Sequence, residues 1–348
     1  MFDVPGGDTV QVMQTARHLQ AIGIQTDIKL SKDEIDYKDY DLLHFFNLTR
    51  PADILYHSKK SGKPFVVSTI LCNYTEYDKH HRKGVGMLFS MLPSHGIEYV
   101  KTIARWVLGK DHLASKEYLW KGQRRSITEV LQQASMVLPN SRSEYHRIMK
   151  DYPCRLKYAV IPNGVDQCLF KQDESVEKDP LMVLCVARIE GIKNQLNLIK
   201  AINNTPYKLI LIGSHAPNQK PYYDECRSIA GPNITFINHI PQHELLGYYQ
   251  KAKVHILPSW FETTGLSSIE GAVMGCNIVI TAKGDAKEYF GNHAFYCDPG
   301  NPESILNAVE QASLSPYNEH LHDLILQKYT WQRAATETLK AYQQTITL

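Results

Sequence analysis

In the segment RIEGIKN (188–194), two cations, Arg188 and Lys193, stand five residues apart. The apolar run LMVLCVA (181–187) precedes them, and a helical pattern, NQLNLIKAI (194–202), follows. Ligands of open α/β sheets bind at the carboxyl ends of strands, where a helix start adds unpaired N–H groups and positive partial charge. Arg188 and Lys193 in that setting would make a diphosphate site. The same seven residues read equally well as a solvated loop carrying two surface cations. A second segment, FETTGLSSIEG (261–271), follows the apolar run VHILPS (254–259). It puts Glu262 in a loop and Glu270 eight residues later, on a helix that Gly265 opens. A carboxylate accepts two hydrogen bonds at once, which suits the paired hydroxyls of a ribose or hexose. The backbone N–H groups of Thr264, Gly265 and Leu266 could serve an anionic or sugar oxygen at that helix start. Taken alone, a loop acid and a surface-helix acid are the simpler reading.

The elements that must position these residues follow a clear rhythm from residue 181 onward. LMVLCVA, KLILIG (208–213), ITFINHI (234–240), VHILPS and NIVITA (277–282) are short, Val- and Ile-rich runs, apolar on both faces as buried parallel strands are. Helical patterns alternate with them at NQLNLIKAI, QHELLGYYQKA (242–252) and GLSSIEGAVMG (265–275), with PESILNAVEQA (302–312) after the last. That alternation predicts βαβ units and a doubly wound sheet. The first half predicts a second α/β sheet: a helix from Thr9 to Ile22, then strands at QTDIKL (25–30), LLHFFN (42–47), PFVVSTI (64–70) and SMVLPN (135–140). Ser141 and Glu144 form a capping box that opens the next helix. Gly6 and Gly7 lead into the first helix, where a doubly wound domain carries a strand just before, and only MFDVP is there. Either that strand is supplied unusually, or the recorded start lies downstream of the true one. The boundary between the two sheets falls near IPNGVD (161–166), and TWQRAATETLKAYQQ (330–344) predicts a helix outside the second series. The expected division is 1–165, 166–325 and a final segment, 326–348, returning to the first domain.

Composition narrows the classes. The 348 residues are 43% hydrophobic and 21% charged, which excludes disordered and fibrous chains. The longest near-apolar stretch, 272–282, is too short to span a bilayer, and no signal peptide is visible. Seven cysteines form no C-x-x-C pair, which predicts reduced thiols, no zinc and a cytoplasmic protein. The net charge of +2 is uneven. Segment 79–125 holds ten basic residues (Lys79, Arg82, Lys83, Lys101, Arg105, Lys110, Lys116, Lys121, Arg124, Arg125) against Glu98, Asp111 and Glu117, a local +7. Phe89, Met91, Leu92, Tyr99, Trp106, Val107, Leu108, Tyr118 and Trp120 interleave with them. Such a surface could meet anionic headgroups or a lipid-linked carrier at the inner face of a membrane, or could simply be a solvated helical face. No nucleic-acid motif accompanies it. Asp39-Tyr40-Asp41 has the D-x-D pattern of some metal sites, but it directly precedes LLHFF and reads as a strand-leading turn, so no metal is expected.

Together the motifs resemble the retaining, nucleotide-sugar-dependent glycosyltransferases of the GT-B fold, the family-four or group 1 type. PGG near the start, IPNGVD, VARIEGIKN, LPSWFETTGLSSIEGAVMG with its Glu-x7-Glu spacing, and the terminal TW helix carry the resemblance, which is densest over 159–300. It implies two facing Rossmann-like domains, an acceptor side first and a donor side second. By resemblance Arg188 and Lys193 would hold the donor diphosphate and Glu270 the nucleoside ribose. Glu262, with the backbone of Thr263, Thr264, Gly265 and Leu266, would orient the donor sugar. Gly6 and Gly7 would bring backbone close to the reacting centre, where a side chain would block approach. Arg188, Lys193 and Glu262 are thus the candidate catalytic residues, with a nucleotide diphosphate sugar as donor substrate and no cofactor. Many relatives carry a histidine just after the strand matching VVSTI; this chain has Leu71 and Cys72, so that role does not carry over. The expected function is sugar transfer to the hydroxyl of a saccharide or lipid-linked acceptor, in polysaccharide or glycolipid assembly. Two other readings stay open: a nucleotide-sugar epimerase on the same fold, and a non-catalytic or truncated nucleotide-sugar-binding protein.

Overall fold

A computed structural model describes residues 6–73, 76–77, 94–109 and 112–346. MFDVP lies outside them, as do His80, His81, the GVG of 84–86 and, from the basic segment, Lys79, Arg82, Lys83, Phe89, Met91, Leu92, Lys110 and Asp111. The chain forms two compact units: the second holds 163–330 together with the short stretch 72–77, and the first holds the remainder, including the C-terminal segment from Trp331.

Among the described residues of the first unit three parallel strands, β1 (Leu43–Phe46), β2 (Phe65–Ser68) and β3 (Met136–Leu138), lie in the order β1-β2-β3. Helices α1 (Gly7–Ala21), α2 (Pro51–Ser61), α3 (Ser94–Val107), α4 (Tyr118–Gln133) and α5 (Arg142–Asp151) belong to it, as does the last helix, α13 (Trp331–Ile346), which packs on α1. The half-buried His44 of β1 ties α13 to the sheet: its Nδ1 bonds the Tyr342 hydroxyl at 2.7 Å and its Nε2 the Ser68 hydroxyl at 2.9 Å.

Two expectations change here. QTDIKL is not a strand: a strand exists only in a ladder, no described strand pairs with 25–30, and Ile28 and Leu30 are exposed. At α5, Ser141 does accept from the Glu144 N–H at 2.9 Å as a cap should. The Glu144 carboxylate, fully buried, also accepts from Asn140 N (2.7 Å), Leu71 N (2.6 Å) and Thr69 Oγ1 (2.5 Å). It therefore clamps the chain beyond β2 to the chain beyond β3. The Asp39 pattern sits in a 3-10 turn, Tyr37–Asp39, that leads into β1.

The second unit is a six-stranded parallel sheet in the order β6-β5-β4-β7-β8-β9. Its strands are β4 (Asp179–Val186), β5 (Lys208–Ile212), β6 (Ile234–Ile237), β7 (Ala252–Leu257), β8 (Asn277–Thr281) and β9 (Phe295–Cys297). Between them run α6 (Gln195–Ile202), α7 (Lys220–Ile229), α8 (Gln242–Lys251), α9 (Leu266–Val273) and α10 (Ala286–Phe290), with α11 (Pro302–Leu314) and α12 (Glu319–Lys328) after β9. Every residue of β8 is buried, as expected of a strand covered on both faces. The order reverses between β4 and β7: the chain builds outward through β5 and β6, then returns to the far side of β4. That reversal is the topological switch point where such sheets open a crevice at their carboxyl ends.

Candidate functional site

Arg188 follows the carboxyl end of β4, and Glu262 follows that of β7, the strand hydrogen-bonded to it. The two loops are stitched together. Asn194, with a left-handed backbone (φ 61°) that asparagine tolerates, opens α6 and donates from Nδ2 to Pro258 O (3.0 Å) and Pro299 O (2.7 Å). Trp260 N donates to Ile192 O at 2.9 Å. Gln195, fully buried, donates to the carbonyl of Arg188 at 2.9 Å. These bonds bring Lys193, from the first loop, onto Glu262, from the second: Nζ and Oε2 are 2.8 Å apart.

Ser259 donates to the same carboxylate oxygen at 3.0 Å. The Glu262 side chain is only 7% exposed and that of Lys193 22%, so the pair sits at the edge of the core. Burial pulls the Lys193 ammonium down; Glu262's charge and hydrogen bond push it up, and the net shift is upward. The Glu262 backbone is held as firmly: its N–H donates to Lys283 O (3.1 Å), and its carbonyl accepts from Asp285 N (2.8 Å). Gly284 lies against it with φ 99°, and a Cβ there would stand 2.1 Å from the Glu262 carbonyl oxygen. Only glycine fits that approach.

Arg188 is less enclosed, 39% exposed, and pairs with Glu190 at 3.0 Å. Glu270 lies on α9, partly exposed, with Oε2 accepting from the Tyr249 hydroxyl (2.9 Å) and Oε1 from Gln242 Nε2 (3.2 Å). Burial raises its carboxyl to about 7, with both hydrogen bonds opposing the rise. Gly265 is the left-handed N-cap of α9 (φ 69°), and no side chain caps the helix. Thr263 is partly exposed, whereas the Thr264 side chain is turned inward. Its hydroxyl accepts from Asn163 Nδ2 at 3.2 Å and bonds the Tyr289 hydroxyl at 3.3 Å. Gly6, extended, caps α1 in the first unit, and Gly7 begins that helix.

Among the described residues no three His, Cys, Asp or Glu side chains gather as a metal site needs. The sequence reading missed Asn194, Gln195, Ser259, Glu190, Tyr249 and Gln242, whose roles come from tertiary placement; a polar residue at a helix start was the available signal for Asn194.

Three carboxylates (Glu190, Glu262 and Glu270), two cations and a helix start at the switch point suit an anionic, hydroxyl-rich ligand. Residues 166–331 match the family model of glycosyl transferases group 1. That segment is a group 1 glycosyltransferase domain. The chain is 25% identical over 211 residues to an uncharacterized glycosyltransferase of Methanocaldococcus jannaschii, covering 53% of this chain and 54% of that protein. It spans about half the length of the first curated relatives it matches. Among solved structures, sucrose-phosphate synthase from Thermosynechococcus elongatus superposes with a TM-score of 0.75 at 16% identity, over 97% of this chain and 93% of that one. Anabaena HepE, solved with UDP and glucose, gives 0.60 at 16% identity, over 97% and 96%. Those likenesses show the fold, which is GT-B.

Proposed function

We propose that this chain moves a sugar from a nucleotide diphosphate sugar to an acceptor hydroxyl, with retention at the anomeric carbon. The observation that carries the proposal is the meeting of Lys193 and Glu262 across the switch point, with Arg188 beside them at the end of β4. A group 1 domain over 166–331 and a GT-B relative solved with UDP and glucose support the nucleotide-sugar donor.

As the anomeric C–O bond breaks, the diphosphate leaves with the bonding electrons, and the acceptor oxygen takes its place as the hydroxyl proton is lost. Charge develops on the terminal phosphate, where fixed cations and a helix start stabilise it without reorganising. Arg188 and Lys193 are those cations. Each is engaged by a carboxylate, Glu190 and Glu262, so the four side chains sum to zero charge and the diphosphate competes for the cations. Glu262, relieved of Lys193, has a carboxylate to offer sugar hydroxyls, and Glu270 one for the ribose.

The acceptor we propose is a saccharide or lipid-linked hydroxyl presented at an anionic membrane face. Trp106 (39% exposed) and Val107 (70%) on α3, Leu108 (67%) just after it and Trp120 (69%) on α4 are exposed apolar side chains within a basic stretch of sequence, a combination that suits an anionic membrane face. No helix among the described residues is long and apolar enough to cross a membrane.

The test is incubation with a panel of nucleotide sugars and mixed saccharide and lipid acceptors, following nucleoside diphosphate release and the product anomer by proton NMR. An α-linked donor giving an α-linked product, lost in Glu262→Gln, is the expected result. A β-linked product would end the claim of retention, and no release with any donor would end the claim of transfer. Sedimentation with phosphatidylglycerol rather than phosphatidylcholine vesicles, lost in Trp106→Ala/Trp120→Ala, tests the membrane contact.

A further inference from the structure

Glu270 is the partly exposed carboxylate of α9, yet both of its oxygens are already held by side chains of another βα unit, Gln242 and Tyr249 of α8. A carboxylate oxygen has two lone-pair sites, so one hydrogen bond on each leaves one acceptor site on each. Two parallel acceptor sites of that kind suit a cis-diol. From this we infer that Tyr249 and Gln242 are positioning residues that set the Glu270 carboxylate for bidentate recognition of the ribose 2′- and 3′-hydroxyls of the donor. The inference rests on the proposed donor reading and deepens it.

Tyr249 is built for that task. Its ring is fully buried, set edge-on to Phe170 with centroids 6.0 Å apart and tilted against His255 at 5.7 Å. Its backbone carbonyl accepts from Lys178 Nζ at 2.9 Å and from Cys276 Sγ at 3.3 Å. The ring and its backbone are therefore fixed on several sides, and the one polar atom of the side chain is spent on Glu270. Burial and the neighbouring Glu270 carboxylate hold the phenol well above its ordinary range, so it stays a donor. Gln242 opens α8 and meets the other oxygen, so rotation of the carboxylate about its own axis would break both bonds. A group fixed before the ligand arrives spares the ligand the cost of ordering it.

The experiment compares ribonucleoside diphosphates with their 2′,3′-dideoxy counterparts by calorimetry, on the wild type, Tyr249→Phe, Gln242→Leu, Glu270→Gln and Tyr249→Phe/Glu270→Gln. Tyr249→Phe keeps the packed ring and removes only the hydroxyl. With the base that the wild type binds, it is expected to weaken the ribonucleotide about three- to tenfold and leave the dideoxy form within about twofold. Gln242→Leu should act in the same direction. In the Glu270→Gln background the further loss from Tyr249→Phe should vanish, since the group it positions has been replaced. Equal weakening of ribo and dideoxy ligands would show a merely structural role and overturn the inference, as would no weakening at all. If the folded wild type binds no nucleoside diphosphate, the donor reading itself fails and takes the inference with it.

Discussion

Replacing Lys193 by methionine tests whether the ion pair organises the site. The substitution keeps most of the side-chain volume and removes the charge, leaving Glu262 with the Ser259 hydroxyl at 3.0 Å. Stranding one member of a buried pair costs about 3–5 kcal/mol. Here the ammonium is 22% exposed and the carboxylate 7%, so water relieves part of that, and about 2–4 kcal/mol is expected. For a unit of this size each kcal/mol lowers Tm by about 2–4 °C, so scanning calorimetry should show a fall of about 4–16 °C. The double variant Lys193→Met/Glu262→Gln removes both charges while keeping the shapes. No charge is left stranded, so it should recover at least half of the lost Tm, although both variants lose sugar transfer. A double variant no more stable than the single one would refute the reasoning, as would a Lys193→Met protein with unchanged Tm.

Three further outcomes follow from the same geometry. Glu190→Gln releases Arg188 from its 3.0 Å partner and should tighten nucleoside diphosphate binding by about two- to fivefold, read by titration at low salt. Glu270, raised to about 7, is ionised above that pH and loses an acceptor oxygen below it. Ribonucleotide affinity should therefore fall between about pH 7 and 5, and Glu270→Gln should remove that step from an otherwise matching profile. Burial lowers His255, which is fully enclosed, and His44, which is half-buried, to about 3, far below the unfolded value of 6.5. The unfolded chain thus binds more protons between those limits, so their contribution is present above about pH 6.5 and lost as the pH falls towards 3. The slope is about 1.4 kcal/mol per pH unit for each, and urea midpoints should show it shrink by about one proton in His44→Gln.

The second unit was legible because its strands are apolar on both faces and end at turn residues, so VHILPS and NIVITA could hardly be anything else. What escaped was short or lightly anchored. β9 is three residues long, and α7 buries only Cys226. In the first half, QTDIKL alternates as a strand should, but alternation is a local property and a ladder needs a neighbour. The candidate site divides in the same way. The 188–194 and 261–271 segments announced Arg188, Lys193, Glu262 and Glu270 by their placement between strand and helix. Spacing says nothing of Ser259 and Lys193 converging on one oxygen of Glu262, or of α8 reaching Glu270, because those pairs meet only through the sheet. Spacing predicts a local cap from Ser141 and Glu144; burial makes the Glu144 carboxylate also a clamp on three groups from two strand ends.

The central claim is that a donor diphosphate binds at the carboxyl ends of β4 and β7. Calorimetric titration of the wild type and Arg188→Ala with the nucleoside diphosphates, in metal-free buffer, tests it most directly. One base should bind, and the variant should lose about tenfold or more, as the removal of a charge-assisted contact implies. Failure of every nucleotide to bind a folded wild type, or equal binding by the variant, would contradict it.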